Sequence, residues 1–473
     1  MIFAEPPPPA GKFRAAIRAL HRADETACVE ELIRRARFSP EAQDRVAAAA
    51  AGLVRAVRAG PRPGGLDAFL HEYALSSREG IVLMCLAEAL LRIPDADTAD
   101  RLIRDKIGGA DWQQHVGQSD SLFVNASTWA LMLTGRLVGE EPGERIDWAQ
   151  AMKRLLARSG EPVIRAAMTQ AMRIMGRQFV MGRGIGEALE RARQAERQGY
   201  RHSYDMLGEA ARTAADALRY MDSYRAAIAE IGRAAKGAKS VHDAPNISVK
   251  LSALHPRYEY AKRRRAMDEL GPRLLELCRA AKDAGIGLTV DAEEADRLDL
   301  SLDLIELASG DKSLAGWDGF GLAVQAYQKR GAAAIDWLSD MARRHKRRLM
   351  VRLVKGAYWD SEIKRAQERG LDFYPVFTRK VATDVSYLAC ARALLADAQA
   401  FYPCFATHNA HTVAAVIELA GKRRDWEFQR LHGMGEELYE EVVGPEKLGL
   451  PCRVYAPVGG HEDLLAYLVR RLL

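Results

Sequence analysis

The sequence predicts an α/β protein, a (β/α)8 barrel of the TIM type preceded by an all-helical arm and an α-domain. Two observations carry this. From about Tyr200 short β-rich runs alternate with amphipathic helical stretches, and upstream of that point the pattern is helical alone. The runs are HSYDMLGE (His202 to Glu209), NISVKL (Asn246 to Leu251), GLTVDAE (Gly287 to Glu293), FGLAVQAY (Phe320 to Tyr327), LMVRLVKG (Leu349 to Gly356), CFATHN (Cys404 to Asn409), FQRLHGM (Phe428 to Met434) and CRVYAPVG (Cys452 to Gly459). A doubly wound open sheet is the alternative, but an even count of eight fits closure better. The expected division is 1–60 as a helical arm, 61–200 as a helical domain and 201–473 as the barrel.

Upstream, segments such as DETACVEELIRRAR, IVLMCLAEALLRI and VIRAAMTQAMRIMGRQF place apolar residues three and four apart, with Pro and Gly punctuation such as GPRPGG between them. None of them assembles chemistry. The alanine run from Ala47 to Ala51 is a strong helix former and carries no function.

With 473 residues the chain can hold more than one domain. Its 48% hydrophobic and 28% charged residues are ordinary for a globular protein. A net charge of +6 is small against 69 basic and 63 acidic side chains, and no nucleic-acid partner is needed to explain it. Six scattered cysteines show neither zinc spacing nor a disulfide framework, so reduced thiols of a cytoplasmic protein are the default. The start MIFAEPPPPA lacks the layout of a signal peptide, and no apolar run reaches the roughly 18 residues a spanning helix needs.

In such a barrel, chemistry gathers at the C-terminal ends of the strands. Here those ends carry Asp205 and Glu209, Lys250, Asp291, Gln325, Arg352 with Lys355, His408 with Asn409, and Tyr455. Repetition of polar ends around the ring points to a polar pocket with surplus positive charge, suited to an anionic ligand group or phosphates. A wholly structural ring of ion pairs is the competing reading, which geometry decides. The last helix, read from Glu462, sets Leu464, Leu465, Leu468, Val469 and Leu472 on one apolar arc. Arg470 falls at its edge, but Arg471 falls inside it, where a charge must be paired or meet an anion, unless it snorkels outward from the helix end, the preferred reading for an isolated helix. Ser252 has no partner histidine at a diagnostic spacing, and MGRGIGEAL is not a dinucleotide fingerprint. His408 and His432 lack the carboxylate pattern of a metal site, so no metal is expected. Many cations with few acid–base groups suit chemistry done by a bound cofactor.

The motifs SVKLSALHPRYEYAKRRR, LTVDAEEADRLDLSLDL, VQAYQKR, VRLVKGAYWD, FTRKVATDVSYLACARALL, FATHNAHTV, FQRLHGMGEELYEEV and CRVYAPVGGHEDLLAYLVRRLL, in this order, closely resemble the FAD-dependent proline dehydrogenase domain of bacterial proline utilization A. WALMLTGRL, in the helical half, looks like part of that family's arm and α-domain. The resemblance implies oxidation of L-proline to Δ1-pyrroline-5-carboxylate, with hydride passing to the flavin N5. It assigns the grip on the proline carboxylate to Arg470 and Arg471, helped by Lys250, and has Asp291 and Glu209 ion-pair with these cations. Tyr455 and Tyr358 wall the proline ring, with Leu353 beside them. To FAD it assigns Gln325, Arg352, Val354, Lys355, Gly356, Ala357 and Trp359, then Thr378, Arg379 and Lys380, then Thr407, His408 and Asn409, with Gln429 and Leu431 on strand seven. Arg352 and the basic residues near Arg379 are the groups expected to neutralise the pyrophosphate.

Members of that family continue into an NAD-dependent aldehyde dehydrogenase domain, so this chain reads as an isolated or truncated proline dehydrogenase unit. An acidic residue that usually follows RRLL in the family is missing here. The start does not resemble the ribbon-helix-helix module of some relatives, and no repressor function is expected. A quinone is the implied electron acceptor, reached by peripheral contact at the inner membrane face. Two other classes compete: a lyase forming a Schiff base at Lys250, and a flavin-bearing proline sensor or scaffold without catalysis.

Overall fold

Each of the eight runs forms a parallel strand in the computed structural model, which describes residues 10–60 and 180–460. The strands are β1 (Tyr200–Met206), β2 (Asn246–Val249), β3 (Gly287–Val290), β4 (Phe320–Gln325), β5 (Leu349–Val354), β6 (Phe401–Ala406), β7 (Glu427–Leu431) and β8 (Cys452–Val458). They pair in chain order, and β8 returns to β1 over the register Tyr200↔Cys452 to Met206↔Val458, closing the barrel. Several ends differ from expectation. Strands β2, β3 and β5 stop before Lys250, Asp291 and Lys355, which therefore sit in the loops at the barrel mouth. At β6 the strand begins at Phe401 and runs through Pro403, a residue that argues against an interior strand when only the sequence is read.

Side chains alternate across each strand. Outward positions such as Ile247, Val249, Leu288, Val290, Val351, Leu353 and Phe405 join one apolar core under the surrounding helices. Inward positions are largely polar: Ser203, Asn246, Ser248, Thr289, Arg352, Glu427, Gln429 and Arg453 are all buried. Met350, Tyr402 and Cys404 form a small apolar cluster separate from that core.

The helices between strands are built from ordinary local signals. Helix Ala214–Ala234 starts in a capping box: Asp216 N–H donates to Thr213 Oγ1 at 3.1 Å, while the Asp216 carboxylate accepts from Thr213 N–H at 3.0 Å. Its buried stripe Ala217, Met221, Tyr224, Ala227, Ile228 and Ile231 follows the helical period. Tyr224 also reaches the mouth, its hydroxyl accepting the backbone N–H of Lys250 at 3.2 Å.

The arm comprises α1 (Lys12–Ala19), α2 (Glu25–Ala36) and α3 (Pro40–Ala59), capped by Asp24 before α2 and by Ser39 before α3, with Pro40 in the first turn. Ile17 enters the main core, Cys28 and Leu32 pack with Phe377 and Ala382, and Val46 and Ala50 pack with Ala414 and Ala415. Arg14 reaches Asp303 at 2.8 Å, and Lys329 Nζ donates to the Ala23 carbonyl at 2.8 Å. Helix α4 (Ile185–Arg197), which the sequence division left in the helical domain, groups with the barrel: Ala188 and Ala192 are fully buried, and Gly182 bridges Val458 of β8. An amphipathic pattern alone does not say which neighbour its apolar face meets. Among the described residues no helix is long and apolar enough to cross a membrane.

Candidate active site

Arg352 is the centre of the site. Its guanidinium donates from Nη1 to Asp291 Oδ1 at 2.6 Å, from Nη2 to Ser203 Oγ at 3.0 Å and Ser248 Oγ at 2.9 Å, and from Nε to Gln429 Oε1 at 2.7 Å. These partners stand on β1, β2 and β7 and after β3, so one side chain on β5 spans the lumen. Above it lies the ring of Tyr455, 5.0 Å from the guanidinium carbon, whose hydroxyl donates to Asp291 Oδ2 at 2.7 Å. Lys250 completes the cluster, with Nζ at 2.6 Å from Asp205 Oδ1 and 3.4 Å from both Asp291 Oδ2 and the Tyr455 hydroxyl.

Two cations and two carboxylates are thus buried together, and desolvation alone would neutralise them. Burial works against the Lys250 charge, yet Asp205, Tyr455 and Asp291 hold its proton well above the ordinary lysine range. Burial would also raise Asp291, but Lys250 and Arg352 bring its carboxyl below the usual value. Asp205 goes the other way: complete burial, with the Asp291 charge adding to it, outweighs Lys250 and pushes its carboxyl up. The Tyr455 hydroxyl also favours its charged form, but by less than burial opposes it.

Asp205 is the carboxylate that the assignment of site roles passed over. It is one of the polar strand ends, though the resemblance assigns the pairing with the cations to Glu209 and Asp291. Asp291 pairs with Lys250 and Arg352, and the 2.6 Å partner of Lys250 is Asp205, the sixth residue of β1, which spacing alone does not single out. Glu209 is half-buried in the loop beyond Gly208. Leu353 requires a correction: it follows Arg352 on the strand and so faces the opposite way, fully buried in the apolar core under the helices, and does not line the mouth. Arg352 requires another, since four bonds spend its guanidinium inside the lumen and a pyrophosphate is left to more exposed cations. Tyr358 is half-buried at the start of helix Trp359–Glu368. Arg470 and Arg471 lie outside the described residues.

The exposed cations lie on the rim. Beyond β5 the chain turns through Gly356 at φ +140°, where an added Cβ would fall 2.5 Å from the ring of Tyr327, so the loop lies flat on that buried ring. Val354 and Lys355 are half-buried there, Gly356 and Ala357 are exposed, and Trp359, 41% exposed, anchors by Nε1 to the Phe377 carbonyl at 2.8 Å. Asp384 is shared by Lys355 and Lys380, while exposed Arg379 stands at the start of the 17-residue helix Lys380–Ala396. A glycine cradle, exposed cations and a helix N-terminus are the elements that hold a phosphate-bearing cofactor. Thr378 meets an anion already: its N–H and hydroxyl donate to Glu25 of the arm at 3.0 and 3.1 Å.

On the far side of the mouth the proposed cofactor residues have structural duties as well. Thr407 is buried; His408 Nε2 accepts Leu431 N–H at 3.0 Å; Asn409 caps helix Ala410–Ala420 by accepting from Thr412 N–H at 2.9 Å. The His408 contact fixes its tautomer with the proton on Nδ1 and ties the loop after β6 to the end of β7. Gln325 is buried and accepts from Gln328 Nε2 at 2.7 Å. Ser252, which lacks a histidine at nucleophile spacing, accepts Ala210 N–H at 3.0 Å and donates its own N–H to buried Glu293 at 3.0 Å, which joins three loops of the mouth. Burial pushes the Glu293 carboxyl up to about 7 despite Arg297 beside it.

Three family models match the chain: "Proline dehydrogenase" over residues 188–473, "DNA-binding domain of Proline dehydrogenase" over 65–179 and "Proline utilization A proline dehydrogenase N-terminal domain" over 12–58. The chain is 56% identical over its whole length to the bifunctional protein PutA of Salmonella typhimurium and 55% identical to that of Escherichia coli, spanning 36% of each relative's length. It is 26% identical to a proline dehydrogenase of Deinococcus radiodurans over 68% of this chain and 92% of that one. A crystal structure of a Bradyrhizobium japonicum proline utilization A mutant superposes with a TM-score of 0.72 at 51% identity, covering 99% of this chain and 46% of that one. The second of these matches is at odds with the expectation that nothing here concerns nucleic acid, and that expectation is withdrawn; residues 65–179 lie outside the described residues.

Proposed function

We propose that this chain, which belongs to the proline dehydrogenase family, oxidises L-proline to Δ1-pyrroline-5-carboxylate with FAD as its cofactor. The observation that carries the reading is the buried set of Lys250, Arg352, Asp205, Asp291 and Tyr455 at the barrel mouth, with two cations locked in place by two carboxylates. Such a set recognises a small zwitterion whose main handle is its carboxylate.

The residues present fit FAD. Gly356 seats the loop after β5 flat on the Tyr327 ring, and half-buried Lys355 with exposed Arg379 and Lys380 puts positive charge beside that loop at a helix start. FAD supplies an acceptor for the hydride from the proline ring carbon next to nitrogen. The fixed positive charge of Arg352 would favour the negative charge of reduced FAD bound at the mouth. Arg470 and Arg471, with Lys250, grip the proline carboxylate, while Tyr455 and Tyr358 wall its ring and exclude water. A quinone at the inner membrane face takes the electrons from a protein that is otherwise cytoplasmic. The aldehyde dehydrogenase that consumes the product belongs to the longer bifunctional relatives, and DNA contact belongs with residues 65–179.

The Schiff-base reading is not favoured, because a lysine held protonated by a carboxylate at 2.6 Å is a poor nucleophile. The test is to load the purified chain with FAD and add L-proline without oxygen. Bleaching of the visible flavin band, with a pyrroline product trapped by o-aminobenzaldehyde, is expected. A band that stays oxidised under excess proline favours the sensor, and borohydride trapping of substrate on Lys250 favours the lyase.

A further inference from the structure

Arg352 is braced from below by a line of buried groups that runs to the barrel floor. Gln429 accepts from Arg352 Nε at 2.7 Å through Oε1 and donates through Nε2 to Glu427 Oε1 at 2.9 Å. Glu427 in turn accepts from Arg453 Nε at 2.7 Å, from Arg453 Nη2 at 3.0 Å and from Arg201 Nη1 at 3.2 Å. The residue types permit only one order along this line. An arginine has only donors and an ionised carboxylate only acceptors, so the amide between them must turn its oxygen to Arg352 and its nitrogen to Glu427. Glu427 and Arg453 are 0% exposed and Gln429 3%, which removes these bonds from competition with bulk water. Burial alone would raise the Glu427 carboxyl, but Arg453 and Arg201 hold it below its ordinary value, so it stays an acceptor at neutral pH.

We propose that Glu427 is a positioning residue for the reaction: through the Gln429 amide it fixes the plane of the Arg352 guanidinium at the flavin, without touching substrate or cofactor. The proposal rests on the flavin reading above. The bland competitor is that Glu427 and Arg453 only close the floor of the barrel, in which case Gln429 and Glu427 act independently.

Sulfite separates the two. It adds to oxidised flavin to leave an anionic adduct, whose stability reports fixed positive charge at the ring and is read as loss of the visible band. The FAD-loaded chain is compared with Gln429→Met, Glu427→Gln and the double variant. If Glu427 acts through Gln429, Gln429→Met weakens sulfite binding about tenfold, Glu427→Gln weakens it severalfold, and the double variant is no weaker than Gln429→Met. Independent, multiplying effects overturn the proposal, as does unchanged sulfite affinity in Gln429→Met. If Glu427→Gln does not fold, Glu427→Asp keeps the charge facing Arg453, shortens the reach to Gln429 and is read by the same rule. Failure of the unmodified chain to take up FAD overturns the flavin reading and this inference together, whereas uptake with multiplying effects overturns this inference alone.

Discussion

Replacing Arg352 by methionine is expected to destabilise the protein by about 3 to 5 kcal/mol, the range for a buried ion pair that loses one partner. The same change should slow flavin reduction by proline by roughly a hundredfold or more, as for loss of a preorganised group facing developing charge. The reason is the number of groups it leaves stranded. Asp291 loses its 2.6 Å partner, and two serine hydroxyls and the Gln429 carbonyl oxygen lose a donor in a region closed to water. Arg352→Lys sharpens the test, because it restores the charge but not the fork that reaches four acceptors at once. The lysine variant is expected to recover part of the stability in urea unfolding and little of the rate. Full recovery of both would mean that charge alone matters and that the geometry of the guanidinium does not.

Gly356→Ala should weaken FAD binding by tenfold or more and destabilise the chain by about 1 to 3 kcal/mol, the usual range for overpacking and backbone strain. The added methyl would lie 2.5 Å from the Tyr327 ring at a φ of +140°. That ring is buried, and its backbone is held, the Tyr327 N–H donating to the Lys355 carbonyl at 2.7 Å and its carbonyl accepting Phe377 N–H at 2.8 Å. The loop must lift instead, taking Lys355 and Ala357 with it. Gly370→Ala is the control: its φ is +60°, but nothing lies within 4 Å of the added methyl. It should show backbone strain in thermal unfolding while flavin affinity, measured by fluorescence titration, stays unchanged. Equal affinity in both variants would contradict the cradle.

The barrel was legible because its eight β-rich runs alternate with helices, and closure needed no further information. Polar strand ends likewise pointed to the mouth, where Lys250, Asp291, Arg352 and Tyr455 do meet. What spacing could not supply was the register around the ring, which decides that Lys250 takes Asp205 and that Ser203 and Ser248 both reach Arg352. Leu353 was misplaced because its neighbour is an active-site residue and strand alternation sends the two to opposite faces. Glu427 has a simpler cause: a charged residue after Trp426 reads as loop, whereas strand β7 begins at Glu427. The bond between Glu25 and Thr378 joins positions 353 residues apart, a distance over which no local pattern carries information.

The central claim is that the mouth of this barrel holds proline for hydride loss to a bound flavin. It is tested most directly by single-turnover bleaching of the FAD-loaded chain with L-proline, ordinary or deuterated at the ring carbon distal to the carboxylate and next to nitrogen. Both forms are expected to bleach the flavin, the deuterated one more slowly. A flavin left oxidised, or bleached with no difference between the two forms under conditions where chemistry limits the rate, would contradict it.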